Sequence, residues 1–346
     1  MGLPWTPGNV HIRRNARREG MRGVKVRILR WLSLALALAA VYVIVAPFVL
    51  AFGLGGLLTA GVVDWAGYTR TPPDDPLTIG YRGDPGQAFG YAFETVQYAT
   101  ELGPAEAWVI PAAEPSPIWA IWVHGIGGLR ENGYRIVKTL HEQGVPVLMI
   151  TYRNDKGAPR SADGLYSFGL DEWRDLEAAV DWAHGQGAER IVIAAESMGA
   201  AITGQYLTHA ADTRTIAGLA LDAPALDFPA VIHAGGKRYW VPLSDLVATA
   251  GLEISTLFRR DLRQAVSLDA VAAFDGPIFV AHGTRDPLVP FSISERLVAK
   301  RPDILFWRTD ADRHPMSFES DRAGYTEALR QWLAAVRQPA ATGPNQ

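Results

Sequence analysis

No cysteine occurs among the 346 residues, which excludes disulfides and thiolate metal sites. The chain also lacks a metal-binding helix motif, a phosphate loop and any internal repeat, and its glycine clusters miss the G-x-G-x-x-G spacing of a dinucleotide fingerprint. A net basic balance is concentrated at one end. Residues 11–30 carry Arg13, Arg14, Arg17, Arg18, Arg22, Lys25, Arg27 and Arg30 against Glu19 alone. Since the whole chain has a formal net charge of -3, the remainder is strongly acidic. An acidic body argues against a nucleic-acid partner, and a basic stretch that abuts an apolar run has a better explanation in membrane topology.

That apolar run is the longest absence of all, because no charged residue stands between Trp31 and Val63. At about 1.5 Å per helical residue, roughly twenty such residues cross a bilayer core, so this run is longer than one crossing needs and too short for two comfortable ones. A cleaved signal peptide is the competing reading, but its apolar region runs to only about 7–15 residues. A membrane anchor is therefore expected, with a kink at Pro47 and either an interfacial turn or close packing at Gly53, Gly55, Gly56 and Gly61. The basic flank precedes the run and Asp64, Asp74, Asp75 and Asp84 follow it. By the positive-inside rule the N-terminus is expected in the cytoplasm and the rest of the chain on the far side.

Beyond the run, four segments carry chemistry. Ile191-Val192-Ile193 reads as a buried strand and leads into Ala194-Ala195-Glu196-Ser197-Met198-Gly199, an x-x-S-x-G turn before a small-residue helix. Such a strand-turn-helix corner holds a nucleophilic serine above a sheet. Ala195 stands where the motif has its first glycine, which keeps the steric relief and demands negative φ. Taken alone, the segment is better read as an ordinary serine capping a helix. The second segment, Trp122-Val123-His124-Gly125-Ile126-Gly127-Gly128, is a strand followed by a glycine loop that can aim a backbone N–H at a reaction centre. Ile126 and Met198 are the expected oxyanion donors. In the third, the strand Ile278–Ala281 precedes His282-Gly283-Thr284-Arg285-Asp286, and Asp286 suits the acid that orients a histidine. In the fourth, Ile304–Trp307 is followed by a loop holding His314, the expected general base. His124 and His282 also sit at strand ends and read as structural hydrogen-bonding groups, as does Glu196. Asp222 is a reserve candidate for the acid.

The order Ser197, Asp286, His314, each just after a different strand, resembles the α/β-hydrolase superfamily over roughly residues 90–336. The likeness rests on His-Gly-x-Gly-Gly, Ala-x-Ser-x-Gly, Gly-x-x-Asp-x-x-Val-Pro and the late histidine. With the basic flank and apolar run, the whole resembles membrane-anchored serine hydrolases of the α/β-hydrolase domain type. The resemblance implies a serine hydrolase without cofactor, acting on esters or thioesters of acyl chains, lipids included, though the fold also hosts peptidases, acyltransferases and silent binding modules.

The remaining pattern agrees with an α/β fold. Val147–Ile150 is a continuous apolar strand, and Leu170, Trp173, Leu176 and Val180 recur at helical spacing, as do Ile136, Val137 and Leu140. Strands alternating with such helices imply right-handed crossovers and a mostly parallel, doubly wound sheet with helices on both faces. Residues 94–100 and 106–110 suggest an antiparallel pair at its leading edge, and Tyr325, Leu329, Trp332, Leu333 and Val336 a closing helix. The expected organisation is a basic segment 1–30, an anchor 31–63, a linker 64–89, the hydrolase domain 90–337 and a disordered tail 338–346. Residues 227–269 break the strand-helix rhythm and are expected to form a lid, with Tyr239, Trp240, Leu243 and Phe258 lining an acyl pocket rimmed by Lys237, Arg238, Arg259 and Arg260.

Overall fold

The computed structural model describes residues 8–59 and 71–338; Gly61 and the tail from 339 lie outside them. Its centre is an eight-stranded sheet of order β1-β2-β4-β3-β5-β6-β7-β8. The strands are β1 (Glu94–Thr100), β2 (Gly103–Ile110), β3 (Ile118–Val123), β4 (Val147–Ile150), β5 (Arg190–Glu196), β6 (Ile216–Asp222), β7 (Ile278–Gly283) and β8 (Leu305–Thr309). The antiparallel pair β1/β2 forms one edge as expected, β2 joins β4 antiparallel, and every other pairing is parallel. Strand residues alternate between two apolar layers, because successive side chains leave opposite faces. Ile121, Val123, Ile191, Ile193, Leu219 and Leu221 enter one core, while Ala120, Trp122, Val192, Ala194 and Ala220 enter the other. Both faces of the central strands are thus buried, which explains why they read as continuous apolar runs.

Helices cover both layers. Along the chain they are α1 (Gly8–Leu58), α2 (Pro85–Phe89), α3 (Tyr134–Glu142), α4 (Trp173–Gly185), α5 (Met198–His209), α6 (Phe228–Arg238), α7 (Ser244–Ser255), α8 (Leu268–Ala272), α9 (Ser292–Lys300), α10 (Ser317–Ser320) and α11 (Arg322–Arg337). The closing helix α11 buries Tyr325, Leu329, Trp332, Leu333 and Val336, the stripe read from sequence. The helix expected from Leu170 onward begins at Trp173 instead. Glu172 causes the difference, since its buried carboxylate accepts the N–H groups of Ser167 and Gly169 and the Ser167 hydroxyl, holding Leu170 in a turn. Residues 227–269 hold short helices joined by turns: α6 is capped by the Asp227 side chain on the Ala230 N–H, and α7, a short 3-10 turn and the start of α8 follow.

Among the described residues one helix is long and apolar enough to cross a membrane, over Lys25–Leu58. It runs unbroken through Pro47, and Gly53, Gly55 and Gly56 are helical. Its two ends meet different surroundings. From Trp31 to Val41 every side chain is exposed, whereas Pro47, Ala51, Leu54 and Leu58 are buried at helical spacing. Leu54 and Leu58 belong to the main core, Leu50 lies against Gly251 of α7, and the Tyr42 hydroxyl donates to the Pro242 carbonyl at 2.7 Å. The Leu58 carbonyl accepts from the Tyr166 N–H at 2.9 Å. Complete burial of each leucine contributes about 1.5–3 kcal/mol, so the end of α1 is a structural part of the domain.

Candidate active site

Ser197 sits where β5 turns into α5, with φ 53° and ψ −116°. This left-handed backbone is unusual for a side chain larger than hydrogen, and the neighbours hold it. The Ser197 N–H donates to the Asp222 carbonyl at 2.9 Å, and its own carbonyl accepts from Ala200 and Ala225. A Cβ at Gly199 would stand 2.2 Å from the Val123 carbonyl oxygen, so α5 can start this close to β3 only with glycine there. Ala195, buried in β5, keeps negative φ and satisfies the one condition alanine imposes.

The loops after β7 and β8 complete a hydrogen-bonded line. His314 Nε2 lies 2.9 Å from Ser197 Oγ, and His314 Nδ1 lies 2.6 Å from Asp286 Oδ2. Asp286 is itself fixed, because its Oδ1 accepts the N–H groups of Leu288 (2.8 Å) and Val289 (3.0 Å). Burial opposes its ionisation, but the charge of His314 and hydrogen bonds from His282 and His314 outweigh it and hold the carboxyl well below its ordinary range. For His314 burial disfavours the imidazolium, and the Asp286 carboxylate beside Nδ1 outweighs burial, so its pKa is raised. A neutral imidazole that donates through Nδ1 presents an acceptor to the serine hydroxyl.

The glycine loop lies on the other side of Ser197. A Cβ at Gly125 would approach Ser197 Cβ to 3.1 Å, and Ile126 lines the same cavity as the serine. Among the described residues the N–H groups of Ile126 and Met198 have no acceptor. His124 supports this loop: Nδ1 faces the Gly125 carbonyl at 2.8 Å and Nε2 faces Asp155 at 2.9 Å, while the Tyr152 hydroxyl reaches the His124 and Gly125 carbonyls. Both ring nitrogens therefore point at acceptors. Burial disfavours the charged ring, Asp155 favours it, and the net effect raises the pKa. His282 is likewise held, between Ser294 Oγ and the Val289 carbonyl.

Asp222, the reserve acid, does not reach His314; it lies beneath the serine turn in a buried ionic cluster. Arg135 donates to Asp222 Oδ2 through Nε and Nη2 at 3.2 Å each, to Glu196 Oε2 and to the Asn132 carbonyl, and the Tyr325 hydroxyl adds a bond to Asp222. Sequence reasoning missed Arg135. The helical pattern of α3 showed only its apolar positions, and nothing local marks an arginine whose partners are 61 and 87 residues away.

The four residues expected to line an acyl pocket stand elsewhere. Tyr239 (78 % exposed), Trp240 (90 %) and Leu243 (60 %) form the turn between α6 and α7 beside Tyr42, and Phe258 packs on Phe52 of α1 with ring centroids 5.4 Å apart. None of them reaches Ser197. The cavity there is small, about 20 Å³, and Ile79, Ile126, Asn132, Leu288 and Pro315 close around the serine and His314. Among the described residues no group of three or more His, Asp or Glu side chains is placed to hold a metal ion.

The fold has parallels in solved structures. An esterase of Pyrococcus furiosus superposes with a TM-score of 0.57 at 21 % identity, covering 76 % of this chain and 97 % of its own. The chain has the α/β-hydrolase fold. A Pyrococcus horikoshii acylaminoacyl peptidase shares this fold with a TM-score of 0.54 at 12 % identity, over 76 % of this chain and 45 % of its own. No family model matches this chain. In sequence it is 31 % identical over 182 residues to the uncharacterized protein Rv2307c of Mycobacterium tuberculosis, covering 51 % of this chain and 55 % of that one. The chain thus spans about half the length of that curated relative. The uncharacterized protein YfhR of Salmonella typhimurium is 26 % identical over 282 residues, covering 75 % of this chain and 85 % of the relative.

Proposed function

We propose that this protein is a membrane-anchored serine hydrolase that cleaves carboxylic esters or thioesters of acyl groups through an acyl-enzyme on Ser197. The observation that carries this reading is His314, whose two ring nitrogens lie 2.9 Å from the Ser197 hydroxyl and 2.6 Å from Asp286. Ser197 Oγ attacks the carbonyl carbon while His314 Nε2 takes its proton. Asp286 fixes the tautomer and stabilises the imidazolium, and the unpaired N–H groups of Ile126 and Met198 receive the oxyanion. The imidazolium then protonates the leaving alcohol or thiol, and water, activated by the same histidine, releases the acid. Esters are the class we carry over because the esterase is matched over nearly its whole length and the peptidase over less than half. Fluorophosphonate, which reacts with an activated serine, should label the wild-type protein and leave Ser197→Ala unlabelled; an unlabelled wild type would refute the mechanism and favour a silent binding module.

The anchor part of the proposal rests on α1. Its exposed segment from Trp31 presents Leu36, Leu38 and Ile44 to the surroundings on all sides, a surface that lipid satisfies and water does not. Removal of the run as a leader would take Leu54 and Leu58 out of the core, which speaks for retention. The basic flank supports a cytoplasmic N-terminus with the hydrolase on the other side. An uncut protein should resist alkaline carbonate extraction and carry an extracytoplasmic C-terminal reporter; release of a shortened soluble form, or a reporter active only in the cytoplasm, would overturn this topology.

A further inference from the structure

The cavity beside Ser197 has room for about one water molecule. The wall that faces the serine from outside the domain's loops is Ile79, only 5 % exposed and supplied by the segment that follows α1. Ile79 packs on Ala311 and Met316, which flank His314 in sequence, so it is seated directly on the loop that carries the base. Polar contacts pin the segment on both sides of it. Arg322 of α11 bonds to Asp75 at 2.6 Å and to Thr78 at 3.1 Å, and Glu319 holds the same guanidinium. Beyond Ile79, the Gly83 carbonyl accepts from the Tyr134 hydroxyl at 2.7 Å. Gly80, at φ 96°, gives the chain the left-handed turn that lets it leave again immediately after Ile79.

We propose that Ile79 is the specificity-determining residue of this site: it occupies the space beside Ser197 that an acyl chain would need, and so restricts the enzyme to short acyl groups. The proposal rests on the serine-hydrolase reading above. The residues that a lid would use for a long chain, Tyr239, Trp240 and Leu243, face outward beside α1, and the apolar wall of the cavity is made by Ile126 of the glycine loop, Leu288, Pro315 and Ile79. Leu288 and Pro315 belong to the turns that carry Asp286 and His314 and cannot withdraw without moving the acid or the base. Ile79 belongs to neither turn, so its size can change independently of the hydrogen-bonded line.

The test uses the full chain in detergent micelles with p-nitrophenyl acetate, butyrate, pentanoate and octanoate, on the wild type, Ile79→Val, Ile79→Ala and Ile79→Phe. Fluorophosphonate labelling of Ser197 reports in each case that the protein is folded and its serine reactive. The wild type should lose kcat/KM from acetate upward. Ile79→Ala removes three carbons, and each methylene newly accommodated favours binding about fourfold, so the pentanoate-to-acetate ratio of kcat/KM should rise by up to about sixtyfold. Ile79→Val, which removes one carbon and keeps the segment packed, should raise it about fourfold, and Ile79→Phe should lower it. A labelled wild type that prefers octanoate would overturn the proposal, as would labelled Val and Ala variants with an unaltered chain-length profile. A wild type that does not label would instead strike at the serine-hydrolase reading.

Discussion

Replacing Arg135 by methionine should destabilise the protein severely and in a pH-dependent way. Arg135 is only 2 % exposed, and its one positive charge is shared by Glu196 and Asp222, which are buried with it. Methionine approximates the volume of the side chain but removes its charge and its donors to both carboxylates and to the Asn132 carbonyl. Breaking a buried ion pair from one side costs about 3–5 kcal/mol, because the partner charge stays behind in a medium that solvates it poorly. At about 2–4 °C per kcal/mol for a domain of this size, the melting midpoint should fall by roughly 6–20 °C at pH 8. The pH dependence follows from Asp222. Burial raises its pKa and Arg135 opposes that rise, so loss of the arginine pushes it higher still. A carboxyl whose folded pKa lies above its unfolded value takes up a proton on folding, and its penalty is absent below the unfolded pKa and present above the folded one. The deficit of Arg135→Met should therefore shrink as pH falls from 8 toward the ordinary carboxylate range, and adding Asp222→Asn should recover part of it at pH 8. Thermal unfolding in detergent, followed by tryptophan fluorescence at several pH values, measures all of this. A midpoint within about 3 °C of wild type at pH 8, or a deficit that stays constant with pH, would refute the reasoning.

Other outcomes follow from the site and the helix seam. Activity should require neutral His314, and because Asp286 raises its pKa, kcat/KM should climb with pH through a midpoint above the ordinary histidine value of about 6.5. Asp286→Asn should lower kcat by about 10⁴-fold and move that midpoint down, whereas an equal loss in Asp222→Asn with Asp286→Asn active would reassign the acid. His124→Phe should release the Gly125 carbonyl and reduce kcat by roughly 10²-fold or more with KM less affected, as for loss of an oxyanion donor; a pure KM effect would contradict that role. Gly251→Val should destabilise by about 1–3 kcal/mol, since its Cβ would meet Leu50 at 2.7 Å, and an unaltered melting curve would show that the α1–α7 seam does not form.

What was legible in the sequence was local or periodic. Ser197, Asp286 and His314 announce themselves because each follows a β-rich run, and the parallel sheet because its strands are apolar on both faces. What was not legible depends on pairing across the chain. Arg135 finds Glu196 and Asp222 only after β5 and β6 lie side by side. Ile79 sits in a stretch rich in Pro and Asp that reads as linker, and only the tertiary structure shows it seated on the His314 loop. Composition cannot tell an apolar residue that lines a pocket from one that faces outward, which is why Tyr239, Trp240 and Leu243 were expected at the serine. The excess length of the apolar run has a similar origin: its final turns serve the domain core, and hydrophobicity is the same signal in both settings.

On the proposed function, the joint between α1 and α7 bears on how far Ser197 can reach. Were the domain tied to its helix by a flexible leash, the serine would sweep a hemisphere whose radius grows with tether length. Here Tyr42, Leu50, Leu54 and Leu58 clamp the helix to the body, so helix and domain turn as one piece. In a bilayer such a mount fixes the height and tilt of the Ser197 opening. Its encounters would then be set by lateral diffusion in the plane, and an ester too far above the surface would pass out of range however tightly the site might bind it.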